Sequence, residues 1–175
     1  MARGRVVLVL GDDVSTDIIY PGRYMATVLP TETPQFAFAD HVELNGRLRR
    51  GEVPPGSFIV AGTNFGCGSS REQAASCLKG HELVVVARNI ARIFLQNAIN
   101  LGLQVVICPG IEAREGDELE VTASGVVNHT SGRTFPVQPL PAARQAIIDA
   151  GGLIAYTRRL VCERAGRAAG SPGSA

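Results

Sequence analysis

Three short apolar runs, at residues 57–61 (SFIVA), 83–87 (LVVVA) and 103–107 (LQVVI), are separated by stretches just long enough for one helix each. Runs rich in Val and Ile with little polar alternation suit strands covered on both faces. Strands joined through a helix pair in parallel. This spacing restricts the fold more than any other feature of the chain. Residues 5–10 add a fourth run of the same kind, ending in the turn-rich GDDVSTD. Ile90, Ile93, Phe94, Ala98 and Leu101 fall at helical spacing, and Gly102 follows as a stop. Residues 70–78 predict the helix between the first two runs. The order of elements argues for parallel βαβ units with helices covering a sheet.

After Gly110 the character changes. Residues 116–138 read as short strands turning at Ser-Gly and Ser-Gly-Arg, an antiparallel meander. Residues 35–42 are expected to form a short helix, and the polar, glycine- and proline-bearing stretch 45–57 a loop. A last helix is expected at about 142–150, before Gly151 and Gly152. From about residue 161 the sequence RAGRAAGSPGSA loses periodicity and reads as a disordered tail, so one domain is expected over residues 1–160. The apolar residues 6–10 are followed directly by Asp12 and Asp13, which suits a first strand and not a targeting segment.

Composition narrows the partners. The formal net charge is +1, so no overall pull toward nucleic acid or membrane is expected. No apolar run approaches the roughly 20 residues of a membrane span. The four cysteines, Cys67, Cys77, Cys108 and Cys162, form no C-x-x-C pair, so a metal or iron–sulfur site held by this chain alone is not expected. Unlinked thiols in apolar settings suit a reducing cytoplasm.

The segment GTNFGCGSSREQA, residues 62–74, lies between a strand and a helix. Ser69 and Glu72 stand at the spacing of a capping box. Gly62, Gly66 and Gly68 permit sharp turns and close approach. Free N–H groups at a helix start also attract an anion. Arg71 in that first turn opposes the helix dipole, which makes better sense if a carboxylate or phosphate binds there. A capped helix and an anion site both fit the spacing. No Gly-Lys-Ser/Thr makes it a phosphate-binding loop, and no G-x-S-x-G makes it a nucleophile elbow.

GTNFGCGSSREQA resembles the signature loop of the aconitase superfamily's swivel domain, in particular the separate small subunits of isopropylmalate dehydratase and homoaconitase. GDDVSTDIIYPGRY at 11–24, NIARIFLQNAINLGL at 89–103 and GGLIAY at 151–156 match further family segments in order, so the resemblance covers about residues 5–160. It implies an aconitase-type swivelling β/β/α domain, a parallel βαβ core with added antiparallel strands. It implies a dehydration–rehydration that moves a hydroxyl between adjacent carbons of a small hydroxy-dicarboxylic acid, isopropylmalate foremost. It also implies a large subunit carrying a [4Fe–4S] cluster that this chain does not ligate.

Residue by residue, the resemblance implies that Ser69 is the base and Asp17 its active-site companion. Arg71, Ser70 and Gly68 would bind and stabilise the substrate. A serine base needs N–H donors or a nearby cation to hold its alkoxide. Asp17 retains the alternative of a turn carboxylate bonding local N–H groups. The tyrosine-led loop Tyr24-Met25-Ala26-Thr27 stands where family members differ. Homoaconitase-type subunits tend to carry arginine at the third position and isopropylmalate-type subunits a bulky apolar residue. Ala26 is neither, which favours an alkylmalate (isopropylmalate, dimethylmalate or citramalate) unless Arg23 supplies the missing cation. Arg92 could pair with substrate or with a neighbouring carboxylate, and the structural pair is the expectation of the two. The reading outside this class is a non-catalytic anion-binding or regulatory module.

Overall fold

The computed structural model describes residues 2–169. The four apolar runs form parallel strands β1 (Arg3–Val9), β2 (Phe58–Ala61), β3 (Val84–Ala87) and β4 (Gln104–Ile107), each paired with the next. The connections carry helices α1 (Thr16–Ile19), α2 (Val42–Arg49), α3 (Glu72–Gly80) and α4 (Arg92–Leu101). Three antiparallel strands, β5 (Glu118–Val121), β6 (Val126–Asn128) and β7 (Arg133–Phe135), extend the sheet from the other side of β1. The strand order is β4-β3-β2-β1-β5-β6-β7. The sheet curls until Gln138, just past β7, donates its N–H to the carbonyl of Ile107 at the far edge.

Strand alternation divides the core in two. Ile59, Ala61, Val85, Ala87 and Val105 face one way, against Leu44 and Leu48 of α2, Leu78 of α3 and Phe94 and Ile99 of α4. Phe58, Val60, Val84 and Val86 face the other way, against Leu119, Val126 and Phe135 inside the curl. Burying a side chain of this size contributes roughly 1.5–3 kcal/mol, so both faces of the parallel strands are anchored. Helix α4 stops where expected. Gly102 takes φ +72° and donates its N–H to the carbonyls of Ala98 and Ile99.

Three expectations are corrected. Residues 35–41 hold no α-helix. A 3-10 turn spans Thr33–Phe36, and the helix comes later as α2, which begins at Val42 and runs into the expected polar loop. Only Leu44 and Leu48 of α2 are buried, and His41 Nδ1 accepts the N–H of Leu44 to begin it. Residues 161–169, expected in the tail, continue α6 (Leu153–Ala169), which follows α5 (Ala142–Asp149). Ala, Arg and Glu are good helix formers, and residues 161–165 are exposed. Residues 170–175 of the expected tail lie outside the described residues. No helix among the described residues is long and apolar enough to cross a membrane.

Candidate active site

The C-terminal ends of parallel strands are where loops converge and ligands bind in open α/β sheets. Here the loops after β1, β2 and β3 continue the pairing of their strands. Gly62 donates its N–H to Gly11 O, Asp13 to Thr63 O, and Gly66 to Val14 O. Phe65 bonds Asn89 O, and Ala91 bonds back to Phe65 O. Gly66 is required in this lacing. Its φ is +80°, and a Cβ there would lie 2.3 Å from Phe94, the buried aromatic of α4.

The lacing delivers residues 67–71 onto α1. The N–H of Thr16 donates to Cys67 O at 2.9 Å, and its hydroxyl donates to Ser69 O at 2.9 Å. Asp17 receives both prongs of Arg71. Nη2 approaches Oδ2 at 2.9 Å, Nη1 donates to Oδ1, and Nη1 also reaches Tyr20 O at 3.3 Å. The pair is lopsided, for the Arg71 side chain is 9% exposed and that of Asp17 60%. The hydrogen bonds from Arg71 hold the Asp17 carboxyl below the usual aspartate range against partial desolvation, and the Gly22 N–H assists. Asp17 thus serves a local N–H, as a turn carboxylate does, and also a cation 54 residues away.

The expected capping box does not form. Helix α3 starts at Glu72 with Arg71 in the cap position, and no side chain caps it. Ser69 is released from that duty. Gly68 (φ +89°), Ser69 and Ser70 are exposed, and their N–H groups have no hydrogen-bond partner among the described residues. Buried Arg71 has one donor, Nε, without a partner in the chain. The loop thus presents two serines, a row of open N–H donors at the start of a nine-residue helix, and a fixed guanidinium. That combination suits an anion and an activated hydroxyl.

The tyrosine-led loop lies beside α3, where Gln73 Nε2 donates to Met25 O at 3.3 Å. Buried Tyr20 pins it, its hydroxyl directed at Tyr24 O (3.1 Å) and Thr27 O (3.4 Å). Tyr24 stacks on Phe36 at 4.1 Å, and Ala26 is exposed. Arg23 is engaged elsewhere. Its guanidinium lies over the Tyr24 ring at 4.7 Å and takes Asp40 with both prongs. Arg92 is exposed and makes no ion pair among the described residues, against the expectation of a structural pair. Thr16, Gln73 and Phe36 support these loops without having been singled out by role in the sequence. Only Thr16 left a signal there, as half of the Thr-Asp motif.

The cysteines do not gather. Cys77 and Cys108 are buried with thiols pushed up by burial, Cys67 is half-buried and Cys162 exposed. Among the described residues, no three of His, Cys, Asp and Glu come together as a metal site. His81 and His129 bond Pro34 O and Glu120.

The aconitase C-terminal domain family matches residues 37–108. The 3-isopropylmalate dehydratase small subunit of Methanosarcina mazei is 45% identical over 159 residues, covering 88% of this chain and 95% of that one. The isopropylmalate/citramalate isomerase small subunit of Methanocaldococcus jannaschii is 42% identical, covering 87% and 92%. The crystal structure of 3-isopropylmalate dehydratase from the latter organism superposes with a TM-score of 0.84 at 35% identity, covering 95% of this chain and 98% of that one.

Proposed function

The chain belongs to the aconitase C-terminal domain family, among its isopropylmalate dehydratase small subunits, and on that footing we propose that it is the base-bearing half of a two-subunit hydro-lyase. Its substrate is a hydroxy-dicarboxylic acid, isopropylmalate first and citramalate or dimethylmalate as smaller relatives. The observation that carries this reading is the exposed Ser69, whose hydroxyl and N–H have no partner among the described residues while its carbonyl is held by Thr16.

Ser69 Oγ takes the proton from the carbon beside a substrate carboxylate as the hydroxyl leaves the adjacent carbon to give the alkene. Rehydration puts the two back exchanged, the proton on the adjacent carbon and the hydroxyl on the first. A serine alkoxide is costly, so the α3 N-terminus serves to stabilise it, while the open N–H of Ser70 faces the substrate. Arg71, held in direction by Asp17, meets a carboxylate through its remaining donors, Nε among them. Tyr24 and Ala26 line the side where the substrate's alkyl group lies. The apolar setting of Ala26 leaves a third carboxylate unpaired there, which disfavours homocitrate-type acids.

A [4Fe–4S] cluster on the large subunit supplies Lewis acidity toward the hydroxyl when bound. The described residues of this chain offer no thiolate set for it. Exposed Ile18, Met25, Val28 and Leu29, on the same loops as the site residues, suit cover by that partner. The setting is the cytoplasm, where free thiols persist.

Reconstitution tests the proposal. The purified chain should be colourless and inactive, and adding a cluster-loaded large subunit should start turnover of isopropylmalate. Activity from this chain alone would remove the half-enzyme reading. Failure of any such subunit to bind would favour a stand-alone anion-binding module.

A further inference from the structure

We infer that Thr16 is a positioning residue, whose buried hydroxyl sets the orientation of the Ser69–Ser70 peptide and so aims the Ser70 N–H at the reacting substrate. The inference rests on the functional reading above and adds a role for a residue that does not touch substrate.

Thr16 is 2% exposed, yet it carries a hydroxyl into the core, where an unpaired one is destabilising. Its partner is the carbonyl of Ser69 at 2.9 Å, 53 residues away in sequence. Capping and turn formation do not explain the hydroxyl, because Ser15 caps α1 by accepting the N–H of Ile18. The main chain of Thr16 is also committed. Its N–H donates to Cys67 O and its carbonyl accepts from Tyr20. With Asp17 on Arg71, two consecutive residues of α1 hold alternate positions 67, 69 and 71 of the loop.

The geometry follows from peptide planarity. In a trans peptide the C=O and the following N–H point in opposite directions. Drawing Ser69 O inward onto Thr16 Oγ1 turns the Ser70 N–H outward. That N–H has no partner among the described residues, as a donor reserved for charge developing outside the loop requires. Gly68 gives the approach its turn, for its φ of +89° belongs to glycine.

Two readouts test this on the full chain, comparing wild type with Thr16→Val, which keeps the shape and removes the donor, and Thr16→Ser, which restores it. Thr16→Ala serves if Thr16→Val does not fold. In complexes saturated with the large subunit, Thr16→Val should lose roughly 10- to 100-fold in kcat with KM changed little, the size expected of a misplaced group. Thr16→Ser should recover most of that loss. The second readout needs no turnover. The backbone ¹⁵N resonance of Ser70 in the isolated chain reports hydrogen bonding to the preceding carbonyl. It should move in Thr16→Val and return in Thr16→Ser. An unmoved resonance in Thr16→Val overturns the assignment whatever the enzyme does. So does a Thr16→Ser chain as impaired as Thr16→Val, which would make the threonine methyl, a packing group, the important part. An inactive wild-type complex would instead strike at the hydro-lyase reading, with the resonance still deciding the role of Thr16.

Discussion

Asp17 and Arg71 stand 54 residues apart in the chain and close on each other as a two-pronged carboxylate–guanidinium pair across α1 and α3. The folded aspartate titrates below its ordinary value of 3.8, chiefly through the hydrogen bonds from Arg71. A depressed acid contributes stability above its unfolded value and loses it as pH falls through the folded one. The pair is therefore intact at neutral pH and weakens only in the acid range. Asp17→Asn should lower the melting temperature at pH 7 and flatten its fall below about pH 4. The same variant should reduce kcat/KM by at least about tenfold, because an unheld guanidinium loses its aim. Melting curves between pH 3 and pH 7 beside steady-state kinetics check both parts.

Ser69→Ala separates chemistry from folding. Arg71 occupies the cap position of α3, so Ser69 has no capping contribution to lose. The variant should unfold within about 0.5 kcal/mol of wild type. Its kcat in the reconstituted complex should fall on the order of 10³-fold or more, the scale of an essential catalytic group. A stability loss near 1 kcal/mol with kinetics intact would return Ser69 to the capping role.

On the proposed function, substrate choice turns on residues 23–27. The wild-type complex should favour isopropylmalate over homocitrate-type acids by at least about tenfold in kcat/KM, or roughly 1.4 kcal/mol. Ala26→Arg should narrow or reverse that ratio. Arg23 is held by Asp40 and the Tyr24 ring, so Arg23→Ala should leave the ratio nearly unchanged. Loss of tricarboxylate turnover in Arg23→Ala would make Arg23 the specificity residue instead.

Gly66→Ala probes the lacing of the loops. A side chain at φ +80° costs about 1–2 kcal/mol, and crowding against Phe94 adds about 1–3. Urea denaturation should record a loss of roughly 2–5 kcal/mol. The carbonyl directions of residues 67–69 depend on that turn, so activity should fall further than stability alone explains.

The parallel strands were legible because Val- and Ile-rich runs covered on both faces carry their burial in composition. Helix α4 was legible because Phe94, Ala98 and Leu101 repeat at its period and Gly102 ends it. Helix α2 was not. Its two buried leucines and mid-helix Gly46 give too thin a stripe, and tertiary packing completes what local preference leaves open. The capping box was misjudged for a related reason. Local spacing allowed Ser69 to cap α3, but its carbonyl is drawn to Thr16 and its loop to Val14, contacts made across more than 50 residues. The motif match named Ser69, Arg71 and Asp17 as site residues, while the pairing of the last two came only from the fold.

The loop after β1 carries Tyr24 and Ala26, and the loop after β2 carries Ser69 and Ser70. They are joined by bonds to backbone carbonyls, by the carboxylates of Asp12 and Asp13 and by the half-exposed Asp17–Arg71 pair, none of which involves the side chains at positions 24–27. Substitutions among those four can accumulate without breaking the bonds that hold the Ser69 loop. Such a scaffold is easily diversified after gene duplication. One copy can drift toward a new hydroxy acid while the other keeps the old one, and the reaction itself never has to be reinvented.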